Sequence, residues 1–237
     1  RGRRGYETAD SLKTRGEAGI PVEQMMRDAR INRIFEGTSE IMRLFIAREA
    51  VDEHLKISGV MIDSKKGWGE KLKALPKIFL FYATWYPRMW LFFDGWPRFA
   101  GYGKLAPHVR YILRSSKKLA RQIFHGMIVF GPNLQKKQCF LFRLVDIGTE
   151  LFAMATVISK ARKMVKEGEH EKSVMKLADV FCEDTQREID SLFYQLWHNS
   201  DKKKYELAKD IEEDQFKWME EGIVELPKEQ KDFMRPQ

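Results

Sequence analysis

With 237 residues, the chain is long enough for one large hydrophobic core or two modest ones, and its 43% hydrophobic and 32% charged residues exclude a disordered chain. A formal net charge of +8 implies an anionic partner of some kind. Cys139 and Cys182 lie far apart and form no C-x-x-C pair, which excludes a disulfide framework and a structural zinc site and points to a reducing compartment. The opening "RGRRGYETADSL" starts without Met and lacks the apolar stretch of a signal peptide, so it reads as a cut through a longer protein. Pro21 at a first helical position opens a helix over "PVEQMMRDARINRIFE", with Met25, Met26, Ala29 and Ile34 at helical spacing. After Gly37, "TSEIMRLFIAREAVDEHLK" predicts a second helix through Ile41, Leu44, Phe45 and Leu55. Further on, apolar stripes from Val109 to Phe124, from Leu141 to Ala155 and from Val174 to Leu196 predict three long helices, with a shorter fourth near "KYELAKDIEEDQFKWMEEG". Gly131-Pro132, Gly168 and "HNSDKKK" separate them, and no run of alternating β-branched residues interrupts them, so the expected class is all-α.

One stretch fits neither group of helices. From Phe79 to Phe99, ten of twenty-one residues are Phe, Trp or Tyr, broken by Pro87, Asp94-Gly95 and Pro97. Two prolines, two arginines and an aspartate inside that span exclude a transmembrane helix. Thirteen Lys or Arg stand against three acids between Asp63 and Arg121, so a local charge of +10 surrounds the aromatics and the rest of the chain is slightly acidic. Basic residues are drawn to an anionic leaflet, and Trp and Tyr prefer the headgroup level, so this segment is expected on an anionic membrane surface, with Trp85 and Trp90 among the interfacial aromatics. No nucleic acid is expected, because neither an aromatic sheet nor an unbroken basic helix is indicated. The five histidines are scattered, and the single Glu-x-x-His, Glu167 to His170, straddles Gly168; no metal site, Walker loop or nucleophile elbow is indicated.

The break at Gly37 carries the chemistry. A glycine free to turn left-handed, followed by Thr38 as an N-cap, leaves Glu36 at the end of one helix beside the positive end of the next, where a carboxylate can enter a cleft. Around it, the segment from Gly5-Tyr6 through Pro21-Val22-Glu23 and Arg27-Asp28-Ala29-Arg30-Ile31 to Ile34-Phe35-Glu36-Gly37-Thr38 resembles the end of the catalytic domain of the acyl-CoA dehydrogenases. Several separate signatures occur in the family's order over about the first 55 residues.

The resemblance implies an FAD-dependent enzyme that converts a long-chain acyl-CoA to the trans-2-enoyl-CoA in fatty acid β-oxidation. Glu36 falls on the family's catalytic base and Gly37 on a position against the substrate. Thr38, Ser39 and Glu40 fall on the FAD-contacting turn, although many relatives have an amide where Glu40 stands. Gly2 falls in the glycine segment that approaches FAD, and Arg3 stands where relatives have a second glycine. A tail beyond about Ser58 is similar in order, length and composition to that of the very-long-chain members. It implies three parts: residues 1–57, the end of the catalytic bundle; 58–105, a basic aromatic membrane-contacting linker; and 106–237, an additional helical bundle. An electron-transferring flavoprotein as acceptor, a homodimer, and a peripheral location on the cytoplasmic or mitochondrial matrix side of a membrane are also implied. The chain is expected to be inactive alone. The competing expectation is a noncatalytic helical module that binds a membrane surface.

Overall fold

A computed structural model describes residues 6–35, 37–63, 65–91, 99–168 and 171–220. Those residues form eight α-helices: α1 (Ala9–Thr14), α2 (Val22–Ile31), α3 (Ser39–Ile62), α4 (Trp68–Arg88), α5 (Ala106–Phe130), α6 (Gln138–Lys166), α7 (Glu171–Gln195) and α8 (Asp201–Glu212). Short 3-10 segments follow at Ala100–Leu105, Gly131–Lys136 and Lys217–Glu220, and no strand occurs among the described residues. The expected all-α class is what the protein adopts. Pro21 stands one position earlier than expected, as the cap residue before Val22.

The molecule is organised around α6, which packs against α7, α5 and α3. A helix covered on three sides is apolar over most of its circumference rather than along one stripe. Accordingly Leu144, Ile147, Leu151, Met154 and Ile158 are all buried, Ile147 and Met154 completely. Ala47 of α3 enters the same core, as do Ala178, Cys182 and Ile189 of α7. Burial in this apolar interior pushes the Cys182 thiol up to about 11.

Polar contacts fix the neighbours around that centre. Arg43 of α3 pairs with Asp146 of α6 at 2.8 Å. Between α5 and α7, His108 hydrogen-bonds Asp179 at 2.8 Å, and the Tyr111 hydroxyl donates to Asp190 at 2.8 Å. The close approach of α5 and α6 depends on Gly126, because a Cβ there would stand 2.5 Å from the Phe140 ring. Phe140 in turn meets Phe130 and Trp197, closing one end of the bundle. Two compact units result, residues 1–197 and 198–237. In the second, α8 has no buried residue, and Asp214, at φ +63°, turns the chain before the last 3-10 segment.

Of the aromatic stretch, residues 92–98 lie outside the described residues, and the rest divides between helix contacts and exposed surface. Residues 79–88 are the second half of α4, which continues past Pro76 and ends just after Pro87. Tyr82, Trp85 and Tyr86 dock on Phe124 of α5, and Tyr82 and Trp85 also meet His54 of α3. Trp90 lies under the Arg121 guanidinium, 4.1 Å from the ring centroid, and Arg121 also donates to the Met89 carbonyl. Trp85 is therefore partly buried against α3 and α5, whereas Trp90, just beyond the end of α4, stays 50% exposed with the Arg121 guanidinium over its ring. Exposed apolar residues run along the whole stretch: Trp68, Leu72, Phe79 and Leu80 of α4 are 89%, 70%, 75% and 67% exposed, and Trp90 and Leu91 follow at 50% and 49%.

Candidate functional site

The turn between α2 and α3 is built as its residue types require. Beyond Ile31 the chain tightens through hydrogen bonds from Arg33 to Arg30, and from Ile34 and Phe35 to Ile31. Gly37 then takes φ +107°, a conformation open to glycine and strained for residues with a Cβ. Thr38 follows in an extended conformation, and its hydroxyl accepts from the Ile41 amide at 3.3 Å, capping α3. The Ser39 amide closes the turn on the Arg33 carbonyl at 3.3 Å.

Gly37, Thr38, Ser39 and Glu40 are thereby brought together at the N-terminus of a 24-residue helix. Hydroxyls and the positive end of the helix make this a place for polar or anionic groups of a bound molecule. Gly37 presents bare backbone, and a Cβ there would stand 3.0 Å from Met42 Sδ. Ile34 and Phe35 beside the turn are 63% and 69% exposed, and α2 buries none of its residues, so the turn is bordered by apolar surface. Glu36 and Gly2 lie outside the described residues.

Sequence reasoning missed two histidine–tyrosine pairs. His54 Nδ1 and the Tyr82 hydroxyl share a hydrogen bond of 3.1 Å, and His125 Nε2 and the Tyr86 hydroxyl share one of 3.0 Å. Together they tie α4 to α3 and α5. The signal was a histidine on the apolar face of each partner helix, but the tyrosine that answers it is far away in sequence. An apolar cleft of about 380 Å³ between α3, α5 and α6, lined by residues such as Val51, Ile123 and Leu144, was equally invisible.

Three helices packed on a buried α6, with a Gly37–Thr38 turn capping α3, define an all-α helical region. Residues 1–51 match the family model described as the acyl-CoA dehydrogenase C-terminal domain, and residues 104–220 match the ACAD9/ACADV C-terminal domain. The chain belongs to the acyl-CoA dehydrogenase family and corresponds to its C-terminal region. Among similar proteins, the probable acyl-CoA dehydrogenase FadE10 of Mycobacterium tuberculosis is 47% identical over 229 residues, which is 95% of this chain and 35% of that protein. The mitochondrial very long-chain specific acyl-CoA dehydrogenase of Homo sapiens is 31% identical over 169 residues, 68% of this chain and 24% of that protein. A probable acyl-CoA dehydrogenase of Bacillus subtilis is 26% identical over 175 residues, 72% of this chain and 26% of that protein. The chain thus spans about a third or less of the length of these relatives.

Proposed function

We propose that the full-length protein containing this chain is an FAD-dependent acyl-CoA dehydrogenase that oxidises long-chain acyl-CoA to trans-2-enoyl-CoA in fatty acid β-oxidation. The observation that carries this reading is the turn itself: a left-handed Gly37 and a capped α3 immediately after an acid, in a chain of this family. Glu36 is the base that takes the substrate's α-proton. A carboxylate suits that step because the polarised thioester makes the α-proton acidic, while desolvation by bound substrate raises the carboxylate's own proton affinity. Gly37 gives the thioester room. Thr38, Ser39 and Glu40, with Gly2, hold FAD, which when bound accepts the β-hydrogen as hydride.

The wider assignment is a homodimer that passes electrons to an electron-transferring flavoprotein and lies on an anionic membrane surface, on the cytoplasmic or mitochondrial matrix side. The three-part division at residues 57 and 105 is supported by the separate family matches over 1–51 and 104–220. No helix among the described residues is long and apolar enough to cross a membrane. Membrane-surface contact is supported by the exposed Trp68, Leu72 and Phe79 along one face of α4, within the basic segment between Asp63 and Arg121.

The test is Glu36→Gln in the full-length protein, assayed with palmitoyl-CoA. The flavin absorbance should be retained, and turnover should fall by a factor of roughly 10² to 10⁴, as expected for loss of a general base. Turnover within a few-fold of wild type, with flavin unchanged, would reject Glu36 as the base. A wild-type protein with no flavin absorbance would favour a noncatalytic membrane-surface module.

A further inference from the structure

Arg162, four residues before the end of α6, combines two features that its helix does not explain. Its Nε is buried and has no hydrogen-bond partner among the described residues. Its guanidinium lies over the Tyr102 ring, 4.3 Å from the centroid, with Nη2 close to the Gly101 backbone. On one side of Arg162 is a cleft of about 210 Å³ walled by Tyr102, Val109, Ile112, Leu113 and Ile158. On the other is a hollow of about 350 Å³ lined by Lys163, Lys166 and Glu167. Ser159 and Arg162 line both, so an apolar chamber and a cationic mouth adjoin at one guanidinium.

Lysines in the last turn of a helix ordinarily answer its negative pole, and Lys163 and Lys166 fit that explanation. It does not account for an arginine with a buried, unanswered Nε at the edge of an apolar cleft. Lys163 engages Glu167 at 3.7 Å, whereas neither Arg162 nor Lys166 has a carboxylate within ion-pair distance among the described residues. The mouth therefore carries net positive charge. A guanidinium is the side chain whose planar donors match the two oxygens of a carboxylate or phosphate. At roughly 30 Å³ for a group the size of water, the apolar chamber holds about seven such groups, the volume of a short run of methylenes.

We propose that this cleft binds a single-chain anionic amphiphile, with its tail between α5 and α6 and its carboxylate or phosphate head on Arg162 and Lys166. The proposal is independent of the reaction assigned above. Two sources supply that chemistry, a free fatty acid and a lysophospholipid drawn from a leaflet.

The experiment measures equilibrium binding of laurate, lysophosphatidate, dodecanol and inorganic phosphate to the full-length protein, at fixed salt. Laurate or lysophosphatidate should bind saturably, and at least tenfold more tightly than dodecanol or inorganic phosphate. Whichever of the two binds more tightly identifies the source. Lys166→Glu, at an exposed position, should weaken the anionic amphiphile several-fold, with the protein still folded and its melting temperature lowered only as far as loss of a helix-end cation explains. Ala155→Phe, at the wall of the apolar chamber, should block the tail while leaving inorganic phosphate unaffected. Arg162→Gln should abolish the preference for laurate over dodecanol, and Arg162→Lys should restore part of it. The proposal fails if no saturable binding occurs, if inorganic phosphate binds as tightly as laurate, or if folded Lys166→Glu and Ala155→Phe both bind like wild type.

Discussion

His54 shows how one residue's environment becomes a measurable property. It is 7% exposed, with the rings of Tyr82, Trp85 and Phe124 all within 6.0 Å. That burial disfavours the imidazolium and lowers its pKa from the usual 6.5, while Glu53 opposes the shift only partly. Because the folded-state value is depressed, the unfolded chain binds the proton first. The stabilisation from neutral His54 is complete above about pH 6.5, and it is lost as pH falls toward the folded-state value. Urea unfolding between pH 7 and 5 should show wild type weakening faster than His54→Phe, which cannot be protonated. Parallel pH profiles for the two would rule out His54 as the source. Gly37 is the second sensitive residue. Gly37→Val must place a β-branched side chain at φ +107° and against Met42, at a cost of about 1–3 kcal/mol for the backbone alone. The folded variant should have a lower melting temperature, reduced flavin content and reduced turnover with long acyl-CoA; normal values of all three would refute the turn's proposed role.

Among the elements, α4 has a divided surface. One face, running from its N-terminal half to the midpoint, leaves Trp68, Leu72 and Phe79 in solvent at spacings of four and seven residues. Its C-terminal half is docked on α3 and α5 through Tyr82, Trp85 and Tyr86. The two halves should respond to different measurements. Trp68→Ala with Phe79→Ala should reduce co-sedimentation with both neutral and anionic vesicles while the melting temperature stays put, because apolar burial in a leaflet is hardly screened by salt. Charge reversal at Lys73 and Lys77 should weaken binding on anionic vesicles only, and more so at low salt, where the Debye length exceeds about 8 Å. Trp85→Ala should instead lower the melting temperature. Background-level sedimentation of the folded wild type on anionic vesicles at low salt would defeat the membrane reading of α4.

At the scale of the whole molecule, stability is concentrated in α6, since this helix meets α3, α5 and α7. Ile147→Ala and Met154→Ala remove side chains that are 0% exposed and leave cavities that three neighbouring helices cannot readily close. Each should cost about 2–5 kcal/mol in denaturant unfolding, whereas Leu72→Ala, at a position 70% exposed, should change it by no more than about 0.5 kcal/mol. Comparable losses at all three positions would show that α6 is not the organising helix. The Arg43–Asp146 pair, about one-third exposed on each side, adds on the order of 1 kcal/mol at most. It aligns α3 on α6 more than it holds them together.

The sequence by itself determined that α2, α3, α5, α6 and α7 are helices, because recurrent apolar residues at helical spacing and the Gly, Pro and polar breaks between them are local properties. It also determined the Gly37–Thr38 turn, where conformational freedom and a capping hydroxyl are written in adjacent residues. It could not determine the fate of the Phe79 to Phe99 aromatics, since the same residues serve equally well on a membrane or against another helix. Docking of α4 on His54 and Phe124 decided that for Tyr82, Trp85 and Tyr86, while Phe79 and Trp90 stay exposed in the same stretch, as Trp68 and Leu72 do before it. The cleft at Arg162 likewise needed α5 and the 3-10 segment before it to approach α6. Periodicity shows which face of a helix is apolar; which neighbour covers that face depends on contacts between residues far apart in the chain, and only the folded molecule contains them.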